Sequence, residues 1–568
     1  MTRSLAAAIA VFVVGQVFAQ SVTAPAARDL HALVEEWRAD RACLERRYDV
    51  PMSEARRQRL HELHTDWRGR LRGLDFAALD RPAQIDWILL DNKMKQEIAE
   101  LELERSKDAE VVDVLPWTST VVELLEARAR VEPVEPSAAA QSLSDLVDAI
   151  DAATRSLRAN KPVATLALRA AGRTGALRRG LAEWFRFRDG YDPQFSWWLR
   201  KPYEAVAAAL ERAESFLRQE CVGQAEDGGQ PLVGDPIGRP ALLAALAAEF
   251  IPYAPEELVA LAEREFAWCD KEFDKAASEL GFPGDWRKAQ EHVKTLHVAP
   301  GEQPRLILQL AAEAEAFLRA HDLVTVPALA SESWRMTMMS PQRQLVNPFF
   351  LGGEVIQVSF PTDGMAHHDK LQSMRGNNIH FSRATVHHEL IPGHHLQQFM
   401  QARYRPHRQV FETPFWIEGW ALYWEMRLYD LGFPQTAEDR VGMLFWRKHR
   451  CARIVFSLRF HLGEWDAKRC IEYLVQRVGH EPQNATAEVR RSIVGGYGPL
   501  YQAAYMLGGL QIRALHAELV GSKKMTERAF HDAVLHENSM PIEVLRAALT
   551  DVELTPEFAT SWRFYDAR

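Results

Sequence analysis

Cysteine is scarce in this 568-residue chain: Cys43, Cys221, Cys269, Cys451 and Cys470 are all there is. An odd number without metal-site spacing says little; it gives no sign of a cysteine-ligated metal site, and one disulfide is permitted in an oxidising compartment. Basic charge is not in surplus either. The net charge is −9, and the signs are interspersed, which excludes a nucleic-acid-binding surface as the organising feature. Beyond the first residues no apolar run approaches the roughly 18–20 residues that cross a bilayer, so no lasting membrane insertion is expected. No 20–50-residue repeat is evident, which excludes a solenoid. No clear linker appears, and the Gly- and Pro-rich stretch 223–240 reads as a loop or hairpin inside a continuous architecture.

The N-terminus carries Arg3, an apolar run from Leu5 to Phe18 and small residues at a cut site after Ala19, the pattern of a secretory signal peptide over residues 1–19. Its removal takes Arg3 and moves the net charge from −9 to −10. No cysteine follows the apolar run, so a lipid anchor is not expected, and a periplasmic or secreted location is. Residues 20–568 read as one unit, mostly helical over 20–330 and carrying the candidate chemistry over 331–568.

Helix periodicity dominates. Leu30, Leu33, Val34 and Trp37 recur at helix spacing, and Leu258, Leu261, Phe266, Cys269, Phe273 and Leu280 line one face of a stretch from Pro255 that Gly281 and Pro283 end. One segment departs from this. Residues 354–360 place Ile356, Val358 and Phe360 on one face between Gly352-Gly353 and Pro361, which predicts a strand and a small sheet.

Residues 385–395 pack His387, His388, His394 and His395 around Glu389. In the H-E-x-x-H pattern, two imidazoles one helical turn apart hold zinc and the glutamate acts on water. Here Pro392 stands where the second histidine belongs. His394, six residues after His388, would point roughly 120° away on a regular helix. Pro392 removes a backbone donor and Gly393 permits unusual dihedrals, so a bulge or break that returns His394 to His388 is expected. The pairs His387/His394 and His388/His395 share a face but lie about 10.5 Å apart, too far to hold one ion. Glu418 opens a helical stretch ending at Gly432 and Pro434 and supplies a third candidate ligand. Glu425, seven residues on, suits an acceptor for a ligand histidine. The doublet His367-His368 reads as polar loop.

The H-E-x-x-P-G-H segment, the glutamate-led helix and Tyr501-Gln502-Ala503-Ala504-Tyr505-Met506-Leu507-Gly508-Gly509 resemble the zincin-type family catalogued as domain of unknown function 885. The resemblance runs from about residue 30 to the C-terminus and includes Pro255-Glu256-Glu257-Leu258 and Met540-Pro541-Ile542. By motif that family is similar to the glutamate-zincin metallopeptidases. The resemblance implies a mainly α fold in which a zincin-like catalytic region with a small β-sheet is embedded in a large helical array. It also implies a strand beside the metal helix that pairs with an extended peptide.

The expected chemistry is a zinc-dependent hydrolase acting on a peptide or other small amide. His388, His394 and Glu418 would hold Zn2+, with Glu389 as general base. Tyr505 is expected to stabilise the oxyanion, and Tyr501 and Arg513 to bind substrate. A non-peptidase amide or ester hydrolase would use the same groups, and a peptide-binding protein without catalysis would not need Glu389.

Overall fold

The computed structural model describes residues 30–223, 232–344 and 349–566. The leader expected over residues 1–19, and residues 224–231 of the 223–240 stretch, lie outside them; of the rest of that stretch, residues 232–237 form no regular element and a helix, Gly238–Ala248, begins. The protein is mainly helical. Among the described residues one two-stranded parallel sheet, Arg335–Met338 with Val355–Val358, interrupts the helices.

Side-chain oxygens next to apolar runs set helix starts: Ser53 accepts from Arg56 N–H, Asp80 from Ala83 N–H and Thr436 from Asp439 N–H. The predicted helix from Pro255 runs over Pro255–Glu279, with Leu258, Leu261, Phe266, Cys269 and Phe273 fully buried and Gly281 at φ +83° beyond its end. The first helix, Leu30–Arg47, buries Leu30, Val34 and Trp37 as spaced. His367 and His368 open a short helix, His367–Gly376, instead of lying in a loop.

Apolar side chains gather in three clusters. The largest joins Leu30, Trp37 and Met94 with Phe266, Trp420, Leu510 and Phe564, so both ends of the described chain share it. A second is confined to Val50–Val222, packing Val50, Met52 and Val111 against the helices that follow Arg81–Val114. The third is small and lies under the sheet, where Ile356 and Val358 meet Leu306, Ile307 and Leu310 of one helix and Val386 and Leu390 of the histidine motif. The sheet is thereby seated against the motif.

The strand is shorter than the sequence pattern, Val355–Val358, with Phe360 beyond its end and only part-buried. At Gln357 its second edge is taken. Leu351 folds back antiparallel, with Leu351 N–H to Gln357 O at 3.0 Å and Gln357 N–H to Leu351 O at 2.8 Å.

Two helix contacts position the rest. Pro414–Asp430 and Tyr501–His516 touch backbone to backbone through Gly419, Gly508 and Gly509; a Cβ on Gly508 would come within 2.1 Å of the Phe415 carbonyl oxygen. Ala437–His461 is buried around its whole circumference, charged residues included. Such charges must be paired or turned toward a ligand.

Candidate functional site

Asn378 caps the helix Ile379–Glu389, accepting from the N–H groups of His380 and Phe381 at 3.0 Å. The helix stops at Glu389 and a new one, His394–Gln401, begins after four intervening residues. Between them Leu390 leaves helical geometry at φ −108°, ψ −107°, and the Ile391–Pro392 peptide is cis. The interruption is a full break between two helices, not a bulge in one. Gly393 N–H donates to His387 O at 3.0 Å, and Trp420 Nε1–H donates to Pro392 O at 2.8 Å, which ties the turn to the glutamate helix. Only glycine fits at 393, because a Cβ there would lie 1.8 Å from the His388 carbonyl oxygen.

The break brings three side chains together. His388 Nε2 lies 3.6 Å and His394 Nε2 3.2 Å from Glu418 Oε2, and all three residues are buried. The two rings stand nearly perpendicular, at 88°, with centroids 4.8 Å apart. Glu418 Oε2 makes no hydrogen bond to either ring despite this proximity. Tetrahedral zinc with bonds of about 2.0–2.1 Å needs ligand atoms roughly 3.3 Å apart, and both distances lie close to that. The donor set therefore fits a small divalent ion such as zinc.

Second partners hold two of these donors. His388 Nδ1 meets Glu425 Oε1 at 2.7 Å, so that in the neutral ring, with its proton in that bond, Nε2 keeps its lone pair toward the shared space. Tyr501 O–H donates to Glu418 Oε1 at 2.5 Å, which frees Oε2. Burial opposes charge on His388, yet Glu418 and Glu425 outweigh it and raise the imidazole to about 9. Burial likewise works against the Glu418 carboxylate, but His394 and His388 hold it well below the usual range. Carboxylate crowded around two imidazoles is an environment that attracts a cation.

A cavity of about 330 Å³ opens over this group, walled by Phe349, Phe350, Ile417 and Trp446 among others. Glu389 lines it and presses on Gly352, where a Cβ would be 2.2 Å from Glu389 Oε2. Burial raises the Glu389 carboxyl, with His388 and His394 pulling the other way. Tyr505 also lines the cavity; its ring lies parallel to His388 at 6.2 Å, and its hydroxyl accepts from Arg491 Nη2 at 3.1 Å.

His388, His394, Glu418, Glu389, Tyr505 and Tyr501 thus share one cavity. Tyr501, expected to touch substrate, spends its hydroxyl on Glu418. Arg513 is a correction. It pairs with Asp430 at 2.8 Å and does not line the cavity, because eight residues after Tyr505 a helix has turned roughly 80° and risen about 12 Å. His395 points away and meets Ala330 O at 2.7 Å, and buried His387 packs edge-on to Phe433.

Sequence reasoning missed the arginines of the cavity wall: exposed Arg343, and Arg450, Arg453 and Arg491. Arg450 and Arg453, one turn apart on Ala437–His461, are 5% and 2% exposed, and Arg453 pairs with Glu488 at 2.7 Å. The available signal was their place among Phe445, Trp446, Ile454 and Phe456, where a solvated face would not interleave with such residues.

A second group, His516, Glu527 and His531, also brings ligand-type atoms together. It is already committed: His531 bonds Leu323 O at 2.7 Å and the Tyr423 hydroxyl at 2.8 Å, while Glu527 pairs with Arg427 and His516.

Among solved structures the fold resembles a protein described as "a putative lipoprotein of unknown function" from Shewanella oneidensis, with TM-score 0.66, 15% identity, and 92% of this chain and 99% of that one covered. It also resembles a "putative lipoprotein" from Colwellia psychrerythraea, with TM-score 0.58, 15% identity, and 93% and 99% covered. At such identity the likeness concerns the fold alone. Comparison with curated protein sequences gives no match. The family model described as "Bacterial protein of unknown function (DUF885)" matches residues 38–549, and with most of its length matched the chain belongs to that family.

Proposed function

We propose that the protein is a zinc-dependent hydrolase of zincin type that cleaves peptide bonds outside the cytoplasm. The observation that carries this reading is the meeting of His388, His394 and Glu418 in one cavity with Glu389, each of His388 and Glu418 oriented by a second partner. A zinc ion held by those three residues would supply a Lewis acid that activates water and polarises a carbonyl. Glu389, at the cavity wall and without a positively charged side chain in ion-pair distance among the described residues, takes the proton from the attacking water and returns it to the departing amine. Tyr505 receives Arg491's N–H on its oxygen, so its own O–H is free to donate to the developing oxyanion.

The strand supports a short substrate. Its edge at Gln357 is filled by Leu351, so an extended peptide cannot add there as a further strand. The cavity is also at the lower end of the roughly 300–1,000 Å³ of ligand sites. An extracytoplasmic location rests on the leader-like N-terminus and on the lipoprotein descriptions of the two structural relatives.

The test is metal analysis followed by a peptide-library digest read by mass spectrometry, on wild type and Glu389→Gln. One zinc per chain in both, with cleavage only in wild type, is expected. Zinc retained in His388→Ala and His394→Ala at wild-type levels would sink the site, and ester or non-peptide amide turnover without peptide cleavage would move the reading to a different hydrolase.

A further inference from the structure

Four arginines line the cavity; Arg343 is exposed to solvent, and of Arg450, Arg453 and Arg491 one is left without a counter-charge. A buried guanidinium is costly unless a counter-charge meets it. Arg450 has Glu425 at 3.4 Å, and Arg453 has Glu488 at 2.7 Å. Arg491, on the helix Pro482–Val494, has no carboxylate in ion-pair distance among the described residues. Its one hydrogen bond there is to the neutral Tyr505 hydroxyl at 3.1 Å, its guanidinium lies 5.3 Å from the Tyr497 ring centre, and its buried Nε has no partner. Tyr505 thus stands between Arg491 and the His388 ring.

We infer that Arg491 receives the free carboxylate at the C-terminus of a short peptide, so that the enzyme trims peptides from that end. This rests on the hydrolase reading above. With solvent-exposed Arg343 set aside, the carboxylates Glu389, Glu418, Glu425 and Glu488 are set against Arg450, Arg453, Arg491 and a bound divalent ion, which leaves one positive charge that a single substrate carboxylate balances. The planar guanidinium suits a carboxylate through paired N–H donors. An N-terminal ammonium finds no such partner. The two carboxylates that line the cavity, Glu389 and Glu418, are the proposed base and a proposed ligand, so nothing anionic remains to greet it. Phe349, Phe350, Ile417 and Trp446 leave apolar wall for the side chains on either side of the cut.

The test uses the zinc-loaded full chain and matched pairs of tri- and tetrapeptides that differ only in a free or an amidated C-terminus. Products are identified by mass spectrometry, and kcat/KM is measured for wild type, Arg491→Lys and Arg491→Met, with zinc content and circular dichroism for each. In wild type, amidation should lower kcat/KM about 30-fold or more, as the loss of one member of a desolvated charge pair does. Arg491→Met should shrink that ratio to within about threefold while zinc content stays, and Arg491→Lys should restore part of it. Calorimetry on Glu389→Gln reads binding without turnover, and the free-acid peptide should bind more tightly than the amide by a similar factor. Equal cleavage of acid and amide, release of N-terminal residues, or internal cuts would overturn the inference while leaving the hydrolase intact. Absence of zinc and of all cleavage would instead strike the reading beneath it, and equal binding of acid and amide would then still count against Arg491. Should Arg491→Met fail to fold, the acid-to-amide ratio in wild type decides alone.

Discussion

Glu425 is the residue whose replacement tests the metal reading most directly, because it touches a proposed ligand without being one. Its Oε1 lies 2.7 Å from His388 Nδ1 and 3.4 Å from Arg450, with all three side chains buried. Removing such an outer partner lowers metal affinity about 10- to 100-fold, or roughly 1.4–2.7 kcal/mol. Glu425→Gln keeps an oxygen that accepts from Nδ1 and should fall near the lower end. Glu425→Ala removes both orientation and charge and should reach the upper end. Either change also strands Arg450, so the metal-free protein should lose thermal stability as well. The two effects separate by measuring zinc affinity against a chromophoric chelator and the melting midpoint of the metal-free chain. Glu488→Gln is the control: it removes a buried carboxylate paired with Arg453 and should leave zinc affinity within about threefold, since Glu488 touches no ligand. Zinc affinity unchanged within twofold in both Glu425 variants, or lowered equally by Glu488→Gln, would refute the orienting role.

Gly393→Ala should lower zinc affinity at least about tenfold, because its Cβ must push the His388 carbonyl from 1.8 Å and displace His394 with it; chelator competition reads this, and unchanged affinity would show that the turn has room. Arg408→Ala should cost about 3–5 kcal/mol in chemical denaturation, since the fully buried Arg408 joins Asp86 of the long N-terminal helix at 2.6 Å to Glu537 near the C-terminus. Burial lifts Glu249 from 4.5 to about 7, against the Thr413 hydroxyl that donates to it at 2.7 Å. Between those values the folded chain holds a proton that the unfolded chain releases, so stability falls as pH rises through about 4.5–7. Glu249→Gln should therefore stabilise the protein at pH 8 by up to about 3 kcal/mol and change little near pH 4.5, and a gain independent of pH would contradict the assignment.

The convergence of His388, His394 and Glu418 was legible because local chemistry marks it. Proline at the expected ligand position and glycine beside it forced a break, and only His394 could return to His388 from there. Glu425 followed from helix spacing alone. The kind of break did not, because a bulge and a full stop with a cis peptide leave the same residues in the sequence. Tyr501 and Glu418 meet through the Gly419–Gly508 contact, a relation between two helices that neither announces by itself. Arg513 was placed on the wrong face by an eight-residue step that a helix does not close. Arg450, Arg453 and Arg491 escaped notice because arginine defaults to the surface, and nothing local says that Ala437–His461 is enclosed on every side. The strand's position was readable from alternation, whereas the filling of its edge by Leu351 depended on a loop.

The cavity's polarity follows from which elements build each wall. The histidine helices and Pro414–Asp430 bring imidazole and carboxylate, while Ala437–His461 and Pro482–Val494 bring guanidinium. Tyr501–His516 runs between them, its Tyr501 bonded to the acidic wall through Glu418 and its Tyr505 to the basic wall through Arg491. A substrate that spans the cavity thus meets unlike ends. On the proposed reading, a dipolar peptide with its carboxylate toward the arginines would carry its last peptide bond toward Glu389, whereas the reverse orientation would set its ammonium against guanidinium. Orientation would then be set by charge on the cavity walls before any chemistry, and it should weaken little with salt, because charges held out of bulk water are screened less than those at a surface.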